Sequence, residues 1–415
     1  VSRFEGGTIE LLDSAIANSW EAGVVATNAS SPKTPSKVVL TRSVARGTNL
    51  DQHGNDGAGV VISGYSTGEI TDSAILDSRR DGIMTVYEGP QVTMTRGEIR
   101  RTLDDKATDI SSAIYSESGK VTLEDVSIHD ATQSGLMART KGSITGKGVV
   151  VHGTKPGADG AFGMGVWADT GGKITLEKSA LVDNAYYGAA VLYASSVVTL
   201  KDTLIRGTAA QKIDQGGLGR GVNVEDGAAA NLDNVSIVAN DGEGLFVRGE
   251  TKEGKRAHAT ASRLLIANAR TFDGTGLFVA KGGLVEIDGG AIIEAQKAGV
   301  VVNETVGDKG SHSEATLTHV IIRGTKRGER RASDKKNLVL DGIGIGNVGL
   351  LTLRSSAVIG NTEFGVIVGS PEDGPSTTTI ENTFLGSTLP NDDGSFGHGL
   401  VAFTRSNVII KNTEI

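Results

Sequence analysis

The chain has 415 residues, a formal net charge of −8 and no cysteine. The lack of cysteine excludes structural disulfides, thiol catalysis and zinc–thiolate sites. The acidic balance argues against a nucleic-acid partner, which needs a basic stripe, and the one basic run, at 326–331, is short and interrupted by Glu329. No apolar run reaches the roughly 18 residues of a membrane span, so we expect no membrane-spanning segment.

One pattern recurs along the whole chain: an aliphatic residue followed by glycine seven positions later. Successive copies lie 53 to 66 residues apart, and each interval contains a second, looser copy. A fixed period over a whole chain indicates a solenoid rather than several globular domains. The anchors and their glycines are Ile16/Gly23, Ile75/Gly82, Ile128/Gly135, Leu181/Gly188, Ile237/Gly244, Ile292/Gly299 and Val358/Gly365, and Ile415 opens an eighth copy.

The segment 163–187 shows how one coil is built. Alternating apolar residues predict short strands at 165–168, 173–176 and 180–182, separated by a glycine turn at 169–172 and a bend at 177–179. The same frame fits 57–81, 111–134 and 219–243, with middle strands at 69–71, 121–123 and 230–232. Three strands per coil predict an all-β, parallel β-helix of about fifteen coils in two-coil super-repeats, a single domain over 1–415 about 70 Å long.

A polar position follows the anchor by two residues. It holds Asn18, Asp77, Asp130 and Asp183, and it shifts by one residue to Asn240 and Asn361. Such a row could supply catalytic carboxylates, or it could form turns in which Asp and Asn adopt the left-handed conformation. We favour the turns.

The looser coil has a basic column at a similar position. Alternating acidic and basic positions about 5 Å apart would pair along one edge, and a slipped coil would place like charges together. We predict that this pairing fixes the register of the coils. The basic column consists of Arg46, Arg100, His152, Arg206 and Arg323.

An insertion opens at the threonine that follows each basic residue. The insertions lie at 49–56, 103–110, 155–162, 209–218, 326–341 and 389–396, with a shorter one at 271–274. They should project from one edge about 10 Å apart, where a solenoid often binds its partner. Solvated connections are the alternative. The candidate partner-facing residues are Asp56, Asp104, Asp159, Asp214, Asp273, Asp341 and Asp393.

The acidic insertions raise the question of a metal. Ca²⁺ prefers several oxygen ligands from carboxylates and carbonyls, but no insertion has the Asp-x-Asp-x-Asp spacing of a self-contained site. We therefore predict no cofactor and no metal ligand set, with Ca²⁺ as the one ion that such loops could take.

The stacked Gly-aliphatic-x-Val, Val-Thr-Leu and Ser-x-Ile units resemble the right-handed parallel β-helix repeats of the pectin-lyase-like superfamily, over essentially the whole chain. The segments GAFGMGV at 160–166 and GSFGHGL at 394–400 look most like large secreted or surface repeat proteins of myxobacteria and their relatives. The resemblance implies a right-handed coil and an extracellular or cell-surface location. The superfamily includes polysaccharide lyases, glycosidases, phage tailspikes and adhesins, so it does not select a function.

The triplet Gly397-His398-Gly399 matches in letters a motif of polygalacturonase-type glycosidases. The equivalent units place other residues between their glycines, so His398 fills a variable position and we assign no catalytic residue. The other occupants are Ala58, Met164, Arg220 and Ile343.

We predict a non-catalytic extracellular or cell-surface β-solenoid that acts as a structural spacer or adhesive surface. Its expected partner is a surface polysaccharide or another copy stacked end to end, and we expect the sequence to be a segment of a longer chain. The alternatives are a lyase or glycoside hydrolase acting on acidic polysaccharide, and a phage or secretion-system fibre. An enzyme should have one groove where acidic, basic and aromatic side chains converge, whereas Trp20 and Trp167 lie in distant coils.

Overall fold

The structure is a computed structural model that describes residues 6–28, 34–53, 56–103, 110–210, 218–270, 274–303, 310–327, 342–369, 376–391, 394–403 and 405–415. These ranges contain strands and turns but no helix, and therefore no helix that could span a membrane. The chain divides into two compact units, the first built of 1–191, 195–203 and 211–217 and the second of 192–194, 204–210 and 218–415. Each is a right-handed parallel β-helix, as predicted. The single-domain organisation of 1–415 stays a prediction.

In the first unit each coil gives one strand to a sheet that we call sheet A and two to a second sheet, sheet B. Sheet A contains β3 (Ala22–Asn28), β6 (Ala58–Gly64), β9 (Asp81–Val86), β12 (Ser112–Ser116), β15 (Ser134–Arg139), β18 (Met164–Asp169) and β21 (Tyr187–Leu192). The last residue of β21, Leu192, is already assigned to the second unit. Sheet B contains β1 (Thr8–Leu12), β2 (Ala15–Ala17), β4 (Lys37–Thr41), β5 (Val44–Arg46), β7 (Thr67–Thr71), β8 (Ala74–Leu76), β10 (Gln91–Thr95), β11 (Glu98–Arg100), β13 (Lys120–Glu124), β14 (Ser127–His129), β16 (Ser143–Lys147), β17 (Val150–His152), β19 (Lys173–Glu177), β20 (Ala180–Val182) and β22 (Val197–Lys201).

The second unit repeats this arrangement. Its sheet A contains β24 (Arg220–Glu225), β27 (Leu245–Arg248), β29 (Thr275–Ala280), β31 (Ala298–Val302), β33 (Ile343–Asn347), β36 (Phe364–Val368) and β39 (His398–Ala402). Its sheet B contains β23 (Leu204–Arg206), β25 (Ala229–Asp233), β26 (Ser236–Val238), β28 (His258–Ala267), β30 (Leu284–Ile293), β32 (Glu314–Arg323), β34 (Leu350–Arg354), β35 (Ala357–Ile359), β37 (Ser376–Glu381), β38 (Phe384–Gly386) and β40 (Ser406–Lys411). In β28, β30 and β32 the two sheet-B strands of one coil run together.

The predicted anchor column is confirmed in both units. Within each unit every anchor is in register with the equivalent residue of the next coil, and every residue of the column given below except Ile16 is at most 2 % exposed. Ile415, expected to open an eighth copy, is instead 61 % exposed. Full burial of such a side chain contributes about 1.5–3 kcal/mol, so this column is a main source of stability. It consists of Ile16, Ala45, Ile75, Ile99, Ile128, Val151 and Leu181 in the first unit, and of Ile205, Ile237, Ile266, Ile292, Ile322, Val358 and Leu385 in the second.

The glycine seven residues after the anchor is required by the close approach of the next coil. A Cβ atom on Gly135 would lie 2.6 Å from the carbonyl oxygen of Gly165, and one on Gly244 would lie 2.8 Å from the carbonyl oxygen of Gly276. Because the obstacle is backbone, no side-chain rotation relieves it. The spacing of anchor and glycine therefore sets how closely the coils stack.

The predicted turn role of the acidic column is confirmed, but two of its members do not share it. Asn18, Asp77, Asp130 and Asp183 have φ between 53° and 57°. The expected one-residue shift is present at Asn240 and Asn361, but these two do not adopt the turn conformation: Ala239 and Gly360 do, and the two asparagine side chains are buried. There the Asn240 amide oxygen accepts the backbone N–H of Thr208 at 2.8 Å, and Asn361 does the same for Thr325 at 3.0 Å.

The predicted pairing of the basic column is correct only in part. His152 Nε2 lies 3.5 Å from a carboxylate oxygen of Asp183. Asp77 is instead bound by Arg101, which donates to both carboxylate oxygens, at 2.5 and 2.9 Å. Arg101 occupies the turn position directly beside Asp77, whereas Arg46 and Arg100 lie one residue earlier in their strands and act on the Asp77 carboxylate through space.

An alternating charge ladder does exist, at a different turn. One residue in the left-handed conformation bends the chain between the two sheet-B strands of a coil, and in the first unit these residues include Asp13, Arg42, Asp72 and Arg96. Arg42 donates to both carboxylate oxygens of Asp13, at 2.7 and 2.8 Å, and Arg96 to both of Asp72, at 2.7 and 2.9 Å. These hydrogen bonds lower the pKa of both aspartates.

The first prediction concerns the glycine. We expect Gly135→Ala to destabilise the protein by at least about 1–3 kcal/mol, because the added methyl meets the Gly165 carbonyl. Gly346→Ala is the control: Gly346 is also in sheet A, and a Cβ there meets nothing within 4 Å. Thermal unfolding measures both variants. Equal melting temperatures for the two would contradict the close-approach explanation.

The second prediction concerns the charge ladder and pH. The pKa of Asp72 is lower in the fold than in the unfolded chain. The pair therefore stabilises above the ordinary Asp value of about 3.9 and stops doing so as pH falls through the folded value. We expect Asp72→Asn combined with Arg96→Gln to lower the melting temperature slightly at pH 6, by an amount that vanishes in acid. Ser355→Asn, a neutral change at the same bend, is the control. A difference that stays constant with pH would overturn the prediction.

Candidate functional site

The outer face of sheet A in the first unit has an apolar column. Successive side chains of a strand point to opposite faces of the sheet. The neighbours Val24, Val60, Ile83, Ile114, Leu136 and Val166 are all buried in the core. The residues between these positions must then point outward, and they stack in register from coil to coil. A continuous apolar line on the outside of a sheet indicates a surface that is covered or that binds something. The outer column consists of Val25, Val61, Met84, Tyr115, Met137 and Trp167.

A groove of about 380 Å³ lies over the first three members of the outer column, which we call the sheet-A groove. Val25, Val61 and Met84 form its floor, and all three are partly exposed. The volume is within the range of small-ligand sites, about 300–1,000 Å³. The groove therefore leaves apolar surface open to a ligand.

The polar lining of the sheet-A groove is acidic on both sides. Glu21 and Asp56 precede β3 and β6 at one edge of the sheet, and Glu117 follows β12 at the other. Tyr87 follows β9 and is 74 % exposed. Among the described residues, none that lines the groove is Lys or Arg. Carboxylates accept hydrogen bonds from hydroxyl and amino groups, and the exposed ring of Tyr87 offers an apolar face with a polar tip.

A cluster of ionisable side chains lies beyond the groove, around Tyr115. Arg139 Nε lies 3.1 Å from a carboxylate oxygen of Asp169. Asp81 is buried and accepts the backbone N–H of Ser112 at 2.9 Å. Burial raises the pKa of the Tyr115 hydroxyl, the nearby Glu117 adds to the rise, and Arg139 opposes it. Tyr115 therefore stays a neutral hydrogen-bonding group at physiological pH.

The outer column is covered beyond Tyr115. Met137 is fully buried and Trp167 is 5 % exposed. The ring of Phe162, from the insertion 155–162, stacks on the Trp167 indole with centroids 5.1 Å apart and an interplanar angle of 25°. The same column is thus open in its first coils and closed by an insertion in its last.

The second unit has a buried ionic cluster on the outer face of its sheet A. Arg220 Nε lies 2.9 Å from Glu243 Oε2, and its NH1 lies 2.7 Å from the Asn223 amide oxygen and 3.4 Å from Glu225 Oε1. The guanidinium carbon lies 3.4 Å above the centroid of Phe246. The Arg220 side chain is only 7 % exposed, so these contacts replace its hydration shell.

Two of the seven predicted partner-facing aspartates lie within the described residues, and the partner-facing role of all seven stays a prediction. Asp56 lines the sheet-A groove. Asp159 accepts the backbone N–H of Ala161 at 2.8 Å, which shapes its own insertion. Within the described ranges no three His, Asp or Glu side chains are grouped as a metal site. The predicted residues that lie outside the described residues are Asp104, Asp214, Asp273, Asp341 and Asp393.

His398 occupies the outer face of sheet A, at the start of β39. It pairs in register with Phe364, and its ring lies 5.9 Å from that of Phe364 and 6.4 Å from that of Phe396. The equivalent position in the preceding coils is Ala298 and then Ile343. The interpretation as a variable position between structural glycines agrees with this geometry.

Sequence reasoning missed Glu21, Tyr87 and Glu117, which line the groove, and the cluster around Arg220. The signal was present in the strand frame. Counting one residue onward from each inward position of sheet A gives the outer column, and an outward column filled by Met, Tyr and Trp is unusual for a solvated face. The partner-binding edge predicted from the sequence rests on the insertions alone and does not use the outward residues of the strands.

Comparisons with known proteins support the fold. Residues 106–255 match the family model described as "Right handed beta helix region". No curated protein matches the chain. Among solved structures, the periplasmic alginate epimerase AlgG is 10 % identical with a TM-score of 0.42, over 92 % of this chain and 76 % of that chain. The A-module of an Azotobacter vinelandii mannuronan C-5 epimerase is 12 % identical with a TM-score of 0.31, over 97 % and 88 %.

A hyper-glycosylated TibA fragment is 11 % identical with a TM-score of 0.26, over 95 % of this chain and 99 % of that chain. At these identities and TM-scores the likenesses concern the fold alone. The resemblance to myxobacterial repeat proteins stays a prediction.

The third prediction concerns Arg220. We expect Arg220→Gln to destabilise the protein by about 3–5 kcal/mol, because Glu225 and Glu243 are left close together with reduced solvation. Adding Glu225→Gln and Glu243→Gln should restore much of the loss. Arg248→Gln, on the same face and partly exposed, is the control and should change stability by about 0.5 kcal/mol or less. Chemical denaturation measures all three. Equal stability of the two arginine variants would show that the cluster contributes nothing.

Proposed function

We propose that this protein is a non-catalytic extracellular or cell-surface β-helix that binds polysaccharide in the sheet-A groove. The observation that supports the proposal is the combination of an open apolar floor, at Val25, Val61 and Met84, with polar groups on both edges. A sugar ring has an apolar face and a rim of hydroxyl groups, so it needs this combination. The outer column runs along the coil axis, which suits a linear chain.

The charge of the groove favours a neutral or amine-bearing polysaccharide. Glu21, Asp56 and Glu117 line it, and no Lys or Arg in the described part of the chain does. A uronate chain would bring its carboxylates against these three groups, and like charges in a half-buried groove repel. The proposal therefore departs from the acidic polysaccharide considered from the sequence. A protonated amine would instead gain charge-assisted hydrogen bonds.

A glycoside hydrolase is the second candidate. It is favoured by the presence of carboxylates on both edges of the same groove, since hydrolysis of a glycosidic bond uses two carboxyl groups that flank it. Binding without release of new reducing ends separates the non-catalytic proposal from this one. The fibre alternative and the end-to-end partner stay predictions.

The fourth prediction concerns Tyr87. We expect the protein to bind cellohexaose or chitosan hexamer more tightly than hexagalacturonate, and Tyr87→Ala to weaken that binding about threefold to tenfold, the usual size of a lost aromatic contact. Tyr193→Ala is the control, because Tyr193 follows its sheet-A strand at the same turn position, with φ of 64° against 65°. Isothermal titration calorimetry measures affinity.

Preferred binding of hexagalacturonate, or equal losses in the two tyrosine variants, would contradict the proposal. Release of reducing ends from a bound hexamer would replace it with the hydrolase. Glu21→Gln and Glu117→Gln then show whether the groove carboxylates carry the reaction.

A further inference from the structure

The insertion 155–162 covers Trp167, which lies further along the same outer column as the floor of the sheet-A groove. In register, Met84 is followed by Tyr115, Met137 and Trp167. By the strand spacing, the floor from Val25 to Met84 is about 10 Å long and the whole column to Trp167 about 24 Å. Trp167 therefore lies about 14 Å beyond the end of the open floor, by the same spacing.

Trp167 has an unused polar group beneath this cover. Its indole Nε1 is buried and has no hydrogen-bond acceptor among the described residues. A buried donor without an acceptor is unfavourable and rare in folded proteins. An exposed Trp167 would present a broad apolar ring with an N–H at its rim, which suits a sugar ring with hydroxyl groups.

The insertion is held firmly at its ends. The backbone N–H of Lys155 donates to the Ala131 carbonyl at 2.7 Å, and its ammonium lies 2.9 Å from the Asp130 carboxylate. At the other end, the backbone N–H of Gly163 donates to the Gln133 carbonyl at 3.0 Å. These anchors fix the two points about which the tip can move.

The tip closes mainly on itself. The backbone N–H of Gly157 donates to the Ala161 carbonyl at 2.8 Å, and that of Gly160 donates to the Gly157 carbonyl at 2.9 Å. A Cβ on Gly160 would meet nothing within 4 Å. Phe162, with φ of 68°, supplies the stacking contact that seats the tip on Trp167.

We propose that the insertion 155–162 is a lid, and that Trp167 forms a further sugar-binding subsite that opens when the Phe162 ring lifts. In the closed state Phe162 stacks where a sugar ring stacks in the open state. The inference rests on the proposed polysaccharide binding and extends it: short oligosaccharides use the open floor, and long ones displace the lid.

The chain provides a matched control for Phe162. Phe396 has the same sequence frame, between glycines at 394 and 397, and the same φ of 68°. Its ring packs against that of Phe364 at a tilt of 50°, with centroids 5.0 Å apart, so its aromatic partner is a phenyl ring and not an indole. Phe396→Ala removes an equivalent ring without uncovering Trp167.

The first arm of the test needs no ligand. In a Trp20→Phe background Trp167 is the one remaining tryptophan. We expect its fluorescence to be poorly quenched by acrylamide, quenching to rise severalfold in Phe162→Ala, and no change in Phe396→Ala. Unchanged quenching in a folded Phe162→Ala protein would overturn the lid. If Phe162→Ala fails to fold, Phe162→Leu, which keeps an apolar contact but not the ring, replaces it.

The second arm uses cello-oligosaccharides and chitosan oligosaccharides of two and six sugar units. We expect Phe162→Ala to tighten binding of the six-unit chains about threefold to tenfold and to leave the two-unit chains unchanged. Adding Trp167→Phe, which keeps a ring and removes the N–H, should cancel much of the gain. Equal effects on both lengths would contradict the subsite. If the two-unit chains do not bind, or bind equally well without Tyr87, the proposed function itself is contradicted. The quenching experiment would still show whether the insertion 155–162 acts as a lid.

Discussion

The approach of one coil's backbone to the next, at the glycine after each anchor, is the constraint on which the structure depends. A methyl group on Gly135 or Gly244 would meet a carbonyl oxygen of the following coil. With glycine in place, the strands of each unit pair in parallel and the anchors stack into a buried column. The same stacking aligns every other position of a coil, so any residue type that recurs in the frame becomes a continuous line on a face. What such a scaffold can bind depends on which of these columns of residues remain exposed to solvent.

In the first unit the open line is the outer column of sheet A. Its floor at Val25, Val61 and Met84 is exposed, whereas Trp167 in the same column lies under Phe162. The turns elsewhere are occupied by structural contacts: the Asp13–Arg42 and Asp72–Arg96 pairs join neighbouring coils. This face differs from them in combining apolar surface with carboxylates at both edges and, within the described ranges, no lining cation. That combination underlies the assignment to a neutral or amine-bearing polysaccharide.

The sequence predicted the interior better than the exterior, for a physical reason. The three strands predicted in 163–187 are confirmed as β18, β19 and β20, because burial imposes the same alternation on every coil. Which part of the outer column stays open depends on where an insertion folds back onto it. The composition of the insertion 155–162 does not show that it folds onto Trp167. Trp20, just before β3, and Trp167, in β18, lie in distant coils, as expected, but the apolar column that ends at Trp167 was not foreseen. On a solenoid face Met84, Tyr115, Met137 and Trp167 are successive neighbours.

The most direct measurement of the central claim is amide hydrogen exchange with and without chitosan hexamer or cellohexaose. The account predicts slower exchange in the turns at either end of β3, β6 and β9, next to Glu21, Asp56 and Tyr87, and unchanged exchange in sheet B and in the second unit. Protection centred on Arg220 or on the bends at Asp72 and Arg96, or no protection from either oligosaccharide, would contradict it.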